Sequence, residues 1–382
     1  LVQIGNDGGG VGNRAPWGVA CADILYETPL TRSHETRITA VFSDMIPDSV
    51  GFVRSARIGH VWLSEEWGGG FLFYGQQEVE GSDVKAEIKR LGADLRSVIF
   101  SGITGGTNFK RYFTSRAGAK SPYDVDANVA AMNRLVPEEH VAPNHAFRFT
   151  DDAPDGDSAT RVYIKWGDSA KLYNSRLVYR KEWNGYLRYM GTSKTNWYAD
   201  RDSDDSAIAF QNVIVQFTRV DYNHNNKNEP IMYVVGENGE AAEGNADFFL
   251  GGKHVSGYWK RDGMTSRTDV LLKSHSEMDE ICEEGTVSCI TFNFGWLPKG
   301  DHNIFTNKST SIPAIEKGLK LLKSGGMMTL IIYYGRETGF EERDALLEYL
   351  PTIDSSRFTV IEMPFVNRPN CPPIPIIILK DM

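Results

Sequence analysis

An asparagine followed by a turn carries the strongest chemical signal in this chain. The segment Asn293-Phe294-Gly295-Trp296-Leu297-Pro298-Lys299-Gly300-Asp301 comes directly after the apolar run 287–292. An amide side chain and a Pro-containing turn therefore stand at the carboxyl end of a predicted strand, where open α/β sheets take their ligands. The Asn293 carbonyl, helped by the backbone oxygens of the turn, can accept hydrogen bonds from a primary amine and aim its lone pair at an electrophilic methyl group. Trp296 and Tyr334 offer faces on which a nucleobase can stack, Leu297 and Pro298 shape the turn, and Asp301 is an acid that can steer an aminium ion or take its proton. A strand-end amide also caps turns in proteins that do no chemistry. The Pro298 turn, the Gly300-Asp301 pair and the downstream Gly325-Gly326 are what favour the chemical reading.

The elements that must position this segment can be read from periodicity. Residues 312–323 have helical spacing, and Lys323-Ser324-Gly325-Gly326 predicts a cationic last turn with a glycine cap. The unbroken apolar run 327–333 predicts a strand covered on both faces. Residues 341–350 are helical in period and stop at Pro351, and residues 358–365 and 374–379 are strand-like. Strand, helix, strand, helix, strand, strand is the second half of a doubly wound sheet, so residues 268–382 are expected to form a partial α/β, Rossmann-like half-sheet.

Residues 1–267 have a different texture, rich in Gly, Asn, Asp and aromatics. Alternating segments at 36–42, 161–166 and 212–220 predict half-buried strands, hence an α+β domain with much antiparallel sheet. The acidic run 151–157 marks a loop and a subdomain boundary near 151–160, and residues 222–230 read as a hairpin tip. Arg54 and Arg57, flanking Ser55, could clamp an anion, with Tyr26, Glu27 and Arg37 completing the pocket; an internal ion-pair network is the blander alternative. The cluster Gly8-Gly9-Gly10-Val11-Gly12 follows a strand-like start, but Pro16-Trp17-Gly18 interrupts any helix that would complete a cofactor loop. Asp200, Asp202, Asp204 and Asp205 begin like a calcium loop, yet Asp205 stands where glycine is needed and Gln211 where the bidentate Glu belongs. None of the eight histidines, His34, His60, His145, His275 and His302 among them, shows metal-ligand spacing, and no metal is expected.

Bulk properties narrow the function classes. The net charge is -9, and residues 271–382 carry 11 Lys+Arg against 15 Asp+Glu, so no basic field announces nucleic acid and an RNA substrate would have to be gripped locally. The four cysteines, Cys21, Cys282, Cys289 and Cys371, form no C-x-x-C pair and are expected to be small buried side chains. No apolar stretch is long enough for a membrane span, and no charged-then-apolar leader opens the chain, so the protein is expected to be cytoplasmic or to have lost a leader.

Two resemblances match the two textures. Residues 1 to about 265 resemble the YerB-like lipoproteins, through Pro16-Trp17-Gly18, Ala22-Asp23-Ile24-Leu25-Tyr26-Glu27, Thr36-Arg37, Gly51-Phe52-Val53-Arg54-Ser55-Ala56-Arg57, Asn212-Val213-Ile214-Val215-Gln216 and Gly257-Tyr258-Trp259-Lys260. That resemblance implies an extracytoplasmic domain with a non-enzymatic role, binding an envelope ligand or protein, and a final strand segment after Trp259 that this chain is expected to lack. From about residue 268 the chain is similar to the C-terminal half of the YtqB-like class I methyltransferases. The matching blocks are Ser274-His275, Phe292 to Asp301, Ala314-Ile315-Glu316-Lys317, Leu322-Lys323-Ser324-Gly325-Gly326 and Tyr333-Tyr334-Gly335 through Glu341-Glu342; Arg336 replaces that family's usual His. This second resemblance implies S-adenosylmethionine as cofactor, an RNA substrate (the aminomethyl group of a tRNA wobble uridine, or rRNA) and a cytoplasmic setting. The family's glycine-rich cofactor loop and ribose-binding acid have no counterpart here, so the segment is expected to be incomplete and inactive alone. The alternative is an active RNA N-methyltransferase with an unrecognised cofactor loop.

Overall fold

Short β-branched and apolar runs between Gly, Pro and Asp turns build the first two thirds of the chain into sheets. The computed structural model describes residues 1–6, 15–103, 107–143, 145, 156–168, 171–192, 194–222, 230–271, 275–280, 282–295, 306–334 and 336–381. Contacts divide the chain into two units, residues 1–254 with 258–271 and residues 272–382 with the short stretch 255–257.

The first unit opens on a mixed sheet. Strands β1 (Val2–Gly5), β2 (Ile24–Pro29), β3 (Thr36–Val41), β4 (Phe71–Phe73) and β5 (Ile99–Ser101) take the order β2-β3-β1-β4-β5, antiparallel as far as β1 and parallel beyond it. Helix α1 (Ile58–Trp67) is buried along most of its length, and Gly68 ends it in the left-handed conformation. An antiparallel meander follows: β6 (Arg161–Ile164), β7 (Ser175–Arg180) and β8 (Gly185–Met190). A further sheet holds β9 (Asn212–Gln216), β10 (Ala242–Leu250), β11 (Lys253–Arg261) and β12 (Thr268–Leu271) in sequence order.

Strand β12 corrects one expectation. Thr268–Leu271 pairs antiparallel with Tyr258–Arg261, so the first-unit sheet continues past Trp259 to Leu271, beyond the break expected at residue 268. The reason is a buried ion pair: Glu66 of α1 accepts from Arg261 at 3.3 Å and from the Thr268 amide at 2.7 Å, which holds the start of β12.

The second unit is a four-stranded sheet with helices on one face. Strand β13 (Val287–Phe294) pairs parallel with β14 (Leu322–Ile332), β14 antiparallel with β16 (Ile374–Lys380), and β16 antiparallel with β15 (Phe358–Glu362), giving the order β13-β14-β16-β15. The register sorts the side chains. Phe292, Leu330 and Ile376 share one row, and Phe294, Ile332 and Ile374 the next. These rows pack with Ala314, Ile315 and Leu319 of α2 (Lys308–Leu321) and with Leu346 of α3 (Arg336–Tyr349). Thr291, Thr329, Ile377 and Ile361 line the opposite face with Met327, Ile331 and Leu379, and none of these is buried. The apolar run 327–333 is therefore covered on one face, because both helices lie on the same side.

Two helix limits also differ from expectation. Asn307 caps α2, its side chain accepting from Ser309 N at 3.0 Å, so the helix starts at Lys308. It ends at Leu321. Residues 323–326 bulge from β14 instead, since Val287 aligns with Leu322 while Cys289 aligns with Met327, and Gly325 accommodates the bulge with φ +72°.

Candidate functional site

Period-2 alternation decides where Asn293 points. Phe292 and Phe294 turn toward the helices and are buried, so Asn293 between them is exposed on the uncovered face, opposite Ile331 of the parallel neighbour. Its amide makes no side-chain hydrogen bond among the described residues, which leaves a carbonyl and an NH2 available at the carboxyl end of β13.

The described residues on either side of 296–305 are held in place. Tyr333 N donates to Phe294 O at 2.8 Å, Gly295 N donates to Thr306 Oγ1 at 2.7 Å, and Thr306 N donates back to Gly295 O at 3.2 Å. Thr306 Oγ1 then donates to Glu342 Oε2 at 2.9 Å, and Ser311 Oγ donates to Glu342 Oε1 at 2.6 Å. One buried carboxylate on α3 thus ties the loop's return and the first turn of α2 together. Thr306 and Ser311 were not singled out above, and Glu342 entered only as part of a matching block without an assigned role. Their signal was faint, because a Glu within a helical period looks like a solvated face. Tyr334, at the end of β14, packs edge-on against Phe340 at 5.7 Å, and Arg343 lies over its ring at 4.8 Å. Trp296, Leu297, Pro298 and Asp301 lie outside the described residues.

Burial raises the Glu342 pKa, and the two hydroxyl donors only partly offset this. The folded state then holds the proton more tightly than the unfolded state, so stability falls as the pH rises from the usual carboxylate range through the raised value. Glu342→Gln is expected to raise the melting temperature of the second unit at pH 7 and leave it unchanged at pH 4, as followed by thermal scans at both values. An unchanged melting temperature at pH 7 would show that the carboxylate's burial carries no penalty.

The first-unit anion clamp is assembled only in part. Arg37 Nη1 donates to Ser55 O at 2.7 Å and Arg57 Nη1 to Ala56 O at 2.9 Å, so these guanidiniums flank consecutive carbonyls before α1. His60 is buried beside them, accepts from Arg57 N at Nδ1, and has its pKa held well below the usual value by burial and by both arginines. Arg54 Nη1 donates to Pro122 O at 3.2 Å, and its buried Nε has no hydrogen-bond partner among the described residues. Tyr26 and Glu27 do not join this group. Adjacent residues of a strand face opposite ways: Tyr26 OH accepts from Trp67 Nε1, whereas Glu27 Oε1 accepts from Asn6, Thr36 and Arg188.

The remaining candidates have structural partners. Asp200 accepts from Ala20 N and from Asp202 N, and Asp202 pairs with Arg116 at 2.5 Å, so this acidic loop serves internal contacts. Among the described residues no group of His, Cys, Asp and Glu could hold a metal, and no helix is long and apolar enough to cross a membrane. Cys289 and Cys371 are exposed and Cys21 and Cys282 only partly buried, against the expectation of buried thiols; Cys289 is on the uncovered face of β13 and Cys371 follows an exposed loop.

Comparison with known families resolves the two units. Residues 2–141 match the N-terminal and residues 162–280 the C-terminal domain of a protein of unknown function, DUF3048, and residues 254–379 match the family described as "Putative rRNA methylase". Over these stretches the chain is similar to a DUF3048 pair followed by an rRNA-methylase segment, with residues 254–280 matched by both the C-terminal DUF3048 model and the methylase model. The DUF3048 part shares its fold with the YerB protein from Bacillus subtilis, at 19% identity and a TM-score of 0.55, over 71% of this chain and 83% of that one. The methylase segment is 32% identical over 99 residues to the chloroplastic tRNA (mnm(5)s(2)U34)-methyltransferase of Arabidopsis thaliana, covering 26% of this chain and 36% of that protein. It is 43% identical to a protein from Clostridium thermocellum described as a "putative rRNA-methylase", covering 29% of this chain and 59% of that one with a TM-score of 0.28. The chain thus spans about a third of the first methylase relative and under two thirds of the second.

Proposed function

We propose that the methylase segment is the substrate-holding half of an S-adenosylmethionine-dependent RNA N-methyltransferase, inactive on its own, and that the DUF3048 part is a non-enzymatic binding domain. The observation that carries the first statement is the Asn293 amide, without a side-chain hydrogen bond among the described residues, at the carboxyl end of β13, where Gly295 is tied to Thr306 and Thr306 to Glu342. In this reading Asn293 accepts hydrogen bonds from the substrate amine and orients its lone pair, Asp301 takes its proton, and Trp296 and Tyr334 stack on the base, with Leu297 and Pro298 shaping the turn. The relatives' names support tRNA or rRNA as the substrate class.

The described residues of the second unit do not fit the cofactor. Its sheet begins at β13, whose outer edge has no partner among the described residues, and only the 3-10 turn His275–Glu280 precedes that strand. Among the described residues no strand, glycine turn and helix stand there to receive a nucleoside, and Gly8-Gly9-Gly10-Val11-Gly12 falls in residues 7–14, outside the described residues. We derive no step through the methyl donor. Titration of the folded chain with S-adenosylmethionine is expected to release no heat. Saturable binding would overturn incompleteness and favour an active enzyme with an unrecognised cofactor loop.

For the DUF3048 part, the buried Arg54 Nε, without a hydrogen-bond partner among the described residues, supports an anionic ligand at that guanidinium, in an envelope setting as the YerB-like resemblance implies. Inorganic phosphate is expected to raise the melting temperature of the wild-type chain and to have a smaller effect on Arg54→Ala, by mass action on the folded state. Equal responses would remove the site.

A further inference from the structure

Among the described residues, the second unit's sheet ends on one side in a strand with no defence against pairing. Strand β13 is hydrogen-bonded only to β14 among the described residues, and its eight residues, Val-Ser-Cys-Ile-Thr-Phe-Asn-Phe, contain no charge and no proline. Ser288, Cys289, Thr291 and Asn293 along it are exposed. The opposite edge differs. Strand β15 has five residues, ends at Glu362 and follows Arg357 directly. Edge strands are usually blunted by shortness, charge, proline or a covering element, and of the two edges only β15 has the first two devices.

We propose that β13 is a self-association edge, through which two copies of this chain pair antiparallel about a two-fold axis into one continuous sheet. A two-fold axis normal to the sheet makes the contact isologous and keeps both helix layers on the same side. Opposed residues then come from the same face. Ile290 and Phe292 meet their like on the helix side, and Cys289, Thr291 and Asn293 meet theirs on the other. Because the strand has no charge of either sign, it can oppose itself without like-charge contact despite the chain's net charge of -9. Self-pairing sets uncharged residues against uncharged residues along the whole contact, and this self-compatibility commits the edge to a second copy.

The test is sedimentation of the full chain under reducing conditions, so that the exposed Cys289 thiol cannot link copies covalently. The wild type is expected to show a reversible monomer–dimer equilibrium in the micromolar range, with the amides of residues 287–294 exchanging more slowly as concentration rises. Cys289→Lys places a charge on the edge and is expected to weaken the dimer at least about tenfold. Leu95→Lys, at an exposed site of the first unit, is expected to leave it unchanged. An unaltered far-UV spectrum and melting temperature establish that the variants are folded. A wild type that stays monomeric, a dimer indifferent to Cys289→Lys, or exchange at 287–294 independent of concentration would each overturn the proposal.

Discussion

Arg261→Ala is expected to destabilise the first unit by about 3–5 kcal/mol, the cost of breaking a buried ion pair by removing one partner. The side chains of Arg261 and Glu66 are 0% and 2% exposed. Arg261 Nη2 donates to Trp62 O at 2.8 Å and also to Met264 O, and its Nε donates to Gly263 O at 3.1 Å. Without the guanidinium, three carbonyl oxygens lose a donor and the Glu66 carboxylate is left desolvated beside the Tyr26 phenol, whose own pKa is pushed up mainly by burial and then by Glu66. The pair joins α1, inside the region matching the first DUF3048 domain, to β11, inside the second, so its loss is felt by both. Urea unfolding followed by tryptophan fluorescence is a suitable measure, since Trp296 is the only tryptophan of the second unit. Arg261→Met combined with Glu66→Leu is expected to recover much of the loss, because an apolar pair leaves no buried charge. A loss below about 1 kcal/mol for Arg261→Ala would mean that the pair behaves like an exposed one.

Local pattern and long-range partnership were not equally legible. The strands at Thr36–Val41, Arg161–Ile164, Val287–Phe294 and Ile374–Lys380 lie where alternation or apolar runs placed them, because each is specified within its own residues. The same alternation separates Tyr26 from Glu27, and it was legible in the sequence, since neighbours in a strand cannot share a pocket. Their partners were not legible. Glu27 meets Arg188 across 161 positions and Glu66 meets Arg261 across 195, and no local period encodes such distances. In the second unit the glycines misled. Gly325 and Gly326 signal a departure from regular backbone, but a helix cap and a strand bulge use the same conformational freedom, and the pairing of Cys289 with Met327 decides between them. The candidate site was half legible: Asn293 follows from its place after an apolar run, whereas the Thr306–Glu342 staple depends on a helix folding back over 36 residues.

Gly295→Ala is expected to cost on the order of 3 kcal/mol in the second unit and to displace the strand end that presents Asn293. Gly295 sits at φ +109°, a conformation that side-chain-bearing residues rarely adopt. A Cβ there would lie 2.4 Å from Tyr333 O and 2.9 Å from Tyr333 Cβ. Neither atom can easily retreat, because the hydrogen bond from Tyr333 N to Phe294 O holds the two strand ends together and Thr306 bonds the Gly295 amide from the other side. Gly285 provides the internal control. It too has a positive φ, +74°, but a Cβ would meet nothing within 4 Å, so Gly285→Ala is expected to cost only the backbone penalty of about 1–2 kcal/mol. Hydrogen exchange of the amides in β13 and β14 would measure both variants on the same strands. If Gly295→Ala exchanges no faster than Gly285→Ala, the close approach of the two strand ends does not fix the turn, and Asn293 loses the rigid support on which its proposed role in orienting an amine depends.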